Sequence, residues 1–284
     1  MIYQAFQSYI HVPLSVSGSV LPLCDLAIYL LDRKLYYVLQ SPSGEIVSCK
    51  EYRLLDQRMG QNMFLRLVFE REPILLKDYA NCEVFLAEPP FTLIPQKYRS
   101  ETDHLLLARI MLDDWAFEED LVVRKLSDQQ TGSVLFLQTL NLQDTLHAYL
   151  PYFTLTHIVQ AGVGLAERLT LEHEDHITLI MQANQLILLA MKGGKLQLCN
   201  YYAWKAPLDI VYFVEAVREV CQLKSPDVPV FICGELEVES EVSQAIWRYI
   251  PGLRFPTSLR STRFDNHHYW KYAFLAQLSV PLPV

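Results

Sequence analysis

The sequence predicts an α/β protein in which one unit, βββαβαβα, is used twice, with mixed sheets and helices on both faces. Three observations carry this expectation. The chain of 284 residues is 51% hydrophobic and 20% charged, with only 10 glycines and 15 prolines, which fills a core and excludes disordered, collagen-like and low-complexity classes. Two antiparallel three-strand meanders stand far apart in the chain, and residues match between them. The same succession of helical and strand patterns follows each meander.

The first meander covers residues 26–31, 35–40 and 45–53, joined by the tight connections Asp32-Arg33-Lys34 and Ser41-Pro42-Ser43-Gly44. The second covers 177–181, 186–191 and 195–202, joined at Ala183-Asn184-Gln185 and Lys192-Gly193-Gly194. With one residue deleted from its second turn, Gly44 aligns with Gly194, Cys49 with Cys199 and Tyr52 with Tyr202. A helix over 56–70 follows the first meander, with Met59, Met63, Phe64 and Leu67 on one face, and then a strand over 82–87. A helix over 207–223 follows the second, opened by Pro207 at a natural first-turn position, with Ile210, Phe213, Val214, Val217, Val220 and Cys221 on one face. The strand 228–233 comes next, and Val84-Phe85 and Val230-Phe231 occupy matching places in the two fourth strands. Helix, strand and helix close each unit, at 143–150, 153–159 and 161–169 in the first and at 240–249, 252–256 and 266–278 in the second. The expected domains are therefore 1–158 and 159–284. The first is lengthened by an inserted subdomain at about 89–141 that holds a Pro-Pro turn, a helix over 102–112 and strands over 121–126 and 133–140. Its acidic segment contains Asp113, Asp114, Glu118, Glu119 and Asp120.

A duplicated βββαβαβα unit with an insertion in the first copy resembles the actin-like ATPase superfamily, whose two lobes are ribonuclease-H-like domains. More narrowly, Leu26-Ala27-Ile28-Tyr29-Leu30, Phe91-Thr92-Leu93-Ile94-Pro95 and His268-Tyr269 resemble an uncharacterised bacterial domain-of-unknown-function family with that fold. The resemblance implies ATP held between the lobes by two phosphate hairpins, each usually Asp-x-Gly, and by a Gly-Gly turn beside the adenosine. Glycine there lets backbone N–H groups approach phosphate, and carboxylates organise Mg²⁺ and the attacking water. At the first hairpin this sequence has Asp32-Arg33-Lys34, with the carboxylate and no glycine; at the second it has Ala183-Asn184-Gln185, with neither. At the adenosine position Gly234-Glu235 keeps one glycine of two and sets a carboxylate beside it. Losing all three signatures argues against ATP hydrolysis. Arg33 and Lys34 would still attract an anion, although a charged hairpin tip in water is the simpler reading, as plain turn chemistry is for Asn184 and Gln185.

Other chemistry is sparser. Glu172-His173-Glu174-Asp175-His176 lacks the i, i+4 histidine spacing of a helical zinc site and reads as a solvated linker between domains. Asp265-Asn266-His267-His268-Tyr269 reads as the N-cap of an amphipathic helix. Gly162-Val163-Gly164 lacks the third glycine of a dinucleotide fingerprint. A net charge of -8 disfavours nucleic acid, and the local run Arg254, Arg260, Arg263 and Lys271 reads as a cationic surface. Trp247 and Tyr249 read as core contacts of their helix. The six cysteines are isolated in apolar runs, as buried free thiols are. No cationic stretch precedes Arg33 and the longest apolar run, 177–191, is too short to span a bilayer, so the expectation is a cytoplasmic chain without membrane insertion. Together these readings favour a non-catalytic pseudo-ATPase that acts as a protein-interaction or assembly scaffold with a protein partner. The alternative is a divergent nucleotide- or small-molecule-binding enzyme that uses Asp32 for Mg²⁺ and Gly234 for ATP in the cleft between lobes.

Overall fold

The first meander forms because apolar residues fill both faces of its strands while Gly44, at φ +79°, makes the second turn. The computed structural model describes residues 6–12, 14, 17–31, 33–87, 90–98, 100–111, 119–127, 129–223, 225, 227–236 and 240–256. Strands β2 (Asp25–Leu31), β3 (Lys34–Gln40) and β4 (Ile46–Leu54) pair antiparallel, and β5 (Asn81–Leu86) and β9 (Thr154–His157) extend the sheet in parallel. An N-terminal strand outside the repeat, β1 (Phe6–Val12), adds antiparallel to β4, giving the order β1-β4-β3-β2-β5-β9. Helix α1 (Gln61–Arg71) buries Phe64, Leu65, Val68 and Phe69, and Phe69 stacks on Tyr149 of α3 (Leu140–Tyr149) at 5.0 Å between centroids. The helix starts later than its letters suggest: Asp56 accepts from the Arg58 amide in a turn, and Gly60 is the N-cap. Met63 is accordingly exposed, and the buried stripe runs through Leu65 and Phe69.

The insertion adds β6 (Phe91–Ile94), α2 (Glu101–Met111), β7 (Glu119–Lys125) and β8 (Ser133–Thr139). The three strands form their own sheet in the order β6-β8-β7. Ile94, Ala108 and Leu135 make its small core. Asp113, Asp114 and Glu118 lie outside the described residues.

In the second half, β10 (His176–Gln182), β11 (Gln185–Lys192) and β12 (Lys195–Ala203) repeat the meander, and β13 (Val230–Gly234) and β14 (Leu253–Arg254) follow in parallel, in the order β12-β11-β10-β13-β14. Cys49 stands opposite Val38 as Cys199 stands opposite Leu189, and Tyr52 opposite Leu35 as Tyr202 opposite Leu186, so the repeat alignment of the meanders holds strand by strand. The fourth strands correct it: Val84 pairs with Ile28 and Ile232 with Leu179, so Val84 matches Ile232, two residues beyond Val230. Helix α5 (Pro207–Val220) buries Ile210, Val214 and Val217 beside Cys221, against Leu179, Leu188 and Ile232. Val220 points outward, 73% exposed, because the helix closes there. Helix α6 (Glu241–Tyr249) packs on the same core through Ile246 but leaves Trp247 and Tyr249 largely exposed, Trp247 lying near Phe255, so neither is a core contact. The expected helix 266–278, with Asp265 to Tyr269, lies outside the described residues, as do Arg260, Arg263 and Lys271.

Two compact units result, 1–124 with 133–158, and 125–132 with 159–284. Most of α4 (Ile158–Thr170) therefore goes with the second. It lies so close to that sheet that a side chain at Gly162 would meet Ile180 Cδ1 at 2.5 Å. The tip between β7 and β8 also belongs to the second unit, where Ser127 donates to Glu167 and Gln130 binds the start of β12. No helix among the described residues is long and apolar enough to cross a membrane. All six cysteines are free, with Cys24, Cys49, Cys221 and Cys233 buried.

Candidate functional site

The turns singled out in the sequence are closed by main-chain bonds. Leu31 pairs with Lys34 and Gln182 with Gln185, leaving two-residue tips. Asp32 lies outside the described residues. In the first lobe the Leu54 amide donates to the Arg33 carbonyl at 2.9 Å; in the second the Trp204 amide donates to the Asn184 carbonyl at 3.0 Å, the same bond at the equivalent place. Among the described residues the only non-glycine with positive φ is Gln222, so Arg33, Ala183 and Asn184 close their turns without the left-handed backbone that calls for glycine. Arg33 is also engaged: its guanidinium donates to the carbonyls of Asp56 at 3.0 Å and Leu54 at 3.4 Å.

Gly234 ends β13 at φ +93°, where a Cβ would stand 2.4 Å from the Met181 carbonyl oxygen. The Glu235 amide donates to the same carbonyl at 2.8 Å. The first lobe repeats the bond with the Ala87 amide and the Leu30 carbonyl, at 3.0 Å. Leu86 stands in the equivalent place of the first lobe, so it is the positive φ of Gly234, which would drive a Cβ into the Met181 main chain, that accounts for the glycine. Topology brings Gly234 and Glu235 to the same end of the second sheet as Asn184 and Gln185, since Met181 pairs with Gly234 two residues before the tip begins at Ala183. This is the end where open α/β sheets hold ligands.

Other polar groups were not legible as a set. Lys50 and Tyr52 both donate to Glu72, which follows α1; burial first, and then that carboxylate, hold the Tyr52 phenol well above its ordinary range. The alternation of β4 puts Lys50 and Tyr52 on one face, but no local signal ties them to Glu72. On the other face the buried Glu51 accepts from Arg53. The 172–176 segment is built, not loose: the Asp175 carboxylate accepts from the Gly193 amide at 2.7 Å, and His176 is fully buried at the start of β10. His176 Nδ1 donates to the His173 carbonyl at 2.7 Å, Nε2 has no hydrogen-bond partner among the described residues, and burial lowers the imidazole to about 4. No group of three or more His, Cys, Asp or Glu side chains among the described residues is placed to hold a metal ion.

The first unit also carries a cleft of about 400 Å³ between the start of β5, the end of α3 and the start of β9, lined by Lys77, Asp78, His147 and Tyr152 among others. It opens at the opposite strand ends from the ligand side of such sheets. Its one thiol, Cys82, is pushed up to about 12 by burial and by Glu83, so it supplies no thiolate at neutral pH.

Comparison with known proteins agrees with this architecture. A crystal structure from Bacteroides thetaiotaomicron VPI-5482, of a protein with an actin-like ATPase fold and unknown function, matches 94% of this chain and 100% of its own at a TM-score of 0.76 and 12% identity. A PilM–PilN type IV pilus biogenesis complex matches 89% of this chain and 97% of its own at a TM-score of 0.59 and 12% identity. At such identities the likeness shows the fold alone, and the fold is actin-like. Comparison with curated proteins returns no match. The family model described as protein of unknown function (DUF3822) matches residues 20–253, and the chain belongs to that family.

Proposed function

We propose that this chain is a non-catalytic protein of the actin-like ATPase fold, a pseudo-ATPase that serves as a protein-interaction or assembly scaffold. The observation that carries the reading is the state of the turns. The phosphate positions have no glycine, Arg33 is held by two main-chain carbonyls, and at the glycine retained at 234 a side chain would strike the main chain of Met181. A fold kept whole while its nucleotide turns lose their chemistry is a platform on which surfaces do the work. The PilM–PilN structure, in which a protein of related fold stands in a complex of type IV pilus biogenesis, is an analogy in the same direction.

Titration with Mg²⁺ and ATP tests this. The expected result is no heat, no rise in Tm and no phosphate release. Binding of ATP would stabilise the native state by about 2.7 kcal/mol at a ligand concentration near a hundred times Kd, and such a rise, or turnover, would overturn the proposal.

A further inference from the structure

The cleft of the first unit is made by two strands that part. Strand β5 starts at Asn81, paired with Asp25 of β2, but its parallel ladder with β9 starts only at Glu83↔Thr154. Asn81 and Cys82 therefore have β2 on one side and the cleft on the other. Pro151 explains the parting. It has no N–H to give to a ladder or to the last turn of α3, and Leu150, as the residue before it, is extended at φ -116° and ψ 99°, which ends the helix. Residues 150–154 then form one wall and residues 77–82 the other. They enclose about 400 Å³, within the range of about 300–1,000 Å³ that small-molecule sites occupy.

The lining has three kinds of chemistry. Part of it is apolar and aromatic: Leu150 is buried, the Phe153 ring lies 4.9 Å from that of His147, and the Tyr79 hydroxyl is fixed by donating to the Ile74 carbonyl. Part of it accepts hydrogen bonds. The His147 carbonyl would take its helical bond from residue 151, and a proline has no N–H to donate, so the end of α3 brings negative potential to the cleft. Asn81 donates from Nδ2 to Asp25 at 2.7 Å, which leaves its carbonyl oxygen as an acceptor. The rest is a pair of opposite charges, Lys77 and Asp78, whose exposed side chains make no ion pair or hydrogen bond among the described residues.

We infer that this cleft binds a free α-amino acid with an aromatic or branched apolar side chain. Such a molecule is a zwitterion and uses both charges of the wall. Its carboxylate meets the Lys77 ammonium, and its own ammonium donates to the Asp78 carboxylate, with the carbonyls of His147 and Asn81 as further acceptors. A plain anion would face Asp78 as a repelling neighbour, and a plain cation would face Lys77 in the same way. The ligand's side chain fills the apolar lining at Leu150 and Phe153. The inference is independent of the pseudo-ATPase reading, because Asp25, next to the cleft, and the Arg33 turn stand at opposite ends of β2. A chain that bound nucleotide would take the amino acid in the same place.

Calorimetric titration of the full chain with L-phenylalanine and with L-leucine tests this. The controls lack one charge each: phenethylamine and 3-phenylpropionate for the first, isopentylamine and 4-methylpentanoate for the second. At least one of the two amino acids is expected to bind saturably, about tenfold or more tighter than its own amine and its own acid. Asp78→Asn and Lys77→Met, both at exposed positions, each weaken that amino acid by about tenfold or more and leave the circular dichroism spectrum unchanged. Absence of saturable binding by both amino acids at up to about 10 mM overturns the inference. So does an amine or acid that binds as tightly as its amino acid, or binding that is indifferent to either substitution.

Discussion

Replacing Gly234 with alanine isolates the physical reason for the one glycine at the positions where the resemblance implies nucleotide contact. Two costs add. A side chain at φ +93° is in a region that L-residues avoid, which costs about 1–2 kcal/mol. The new Cβ also stands 2.4 Å from the oxygen and 2.8 Å from the nitrogen of Met181, both main-chain atoms that no rotamer change can move aside. Relief requires β13 to shift from β10, stretching the bond from the Glu235 amide to the Met181 carbonyl, which contributes about 1 kcal/mol. The sum is about 2–3 kcal/mol for Gly234→Ala. Gly44→Ala is the matched control, because Gly44 has φ +79° and open space around its Cβ position, so only the backbone cost of about 1–2 kcal/mol applies. Urea unfolding followed by tryptophan fluorescence and by far-ultraviolet circular dichroism reads both. If the two variants lose the same stability, the clash with the Met181 main chain is not the reason for Gly234 and a ligand-facing role regains its claim.

Two further predictions concern buried polar groups. His176 is held near 4 when folded against an ordinary 6.5, so the unfolded chain binds its proton more readily, and about 3 kcal/mol of stability present above pH 6.5 is lost as pH falls toward 4. His176→Phe should flatten the slope of denaturation midpoint against pH in that window, and an unchanged slope would refute the assignment. Glu72→Ala leaves the Lys50 ammonium and the Tyr52 hydroxyl without their shared acceptor and should destabilise the first lobe by about 2–3 kcal/mol, whereas Glu72→Gln, which retains an acceptor for Tyr52, should cost less. Equal losses in the two variants would mean that Glu72 acts through packing alone.

The architecture was readable because the meanders speak in local terms: apolar strands bounded by short turns, with Gly44 and Gly194 both at positive φ. The third strands aligned correctly because Cys49 and Tyr52 sit at fixed distances from such a glycine. The fourth strands did not, since Val84-Phe85 and Val230-Phe231 are alike in letters while parallel register is set by long-range pairing that no local pattern encodes. The same limit hid β1, whose Phe6–Val12 becomes a strand through β4. For the turns, the sequence told which side chains are present and which glycines are missing. It did not tell that Arg33 spends its guanidinium on the carbonyls of Leu54 and Asp56, or that Gly234 answers to Met181. The polar cluster on Glu72 needed the fold itself, because Lys50 and Glu72 are distant in the chain.

The bonds from Leu54 to Arg33 and from Trp204 to Asn184 join an amide to a carbonyl, groups that almost every residue carries. The main-chain closure of each hairpin is thus indifferent to which side chains stand on the tip, and in the first the Arg33 guanidinium only adds bonds to it. In a fold of this kind the segments that would perform chemistry are the ones whose letters folding constrains least. Successive substitutions there can erase an activity without any intermediate that is less stable than its parent, and the erased protein keeps every surface by which it meets others.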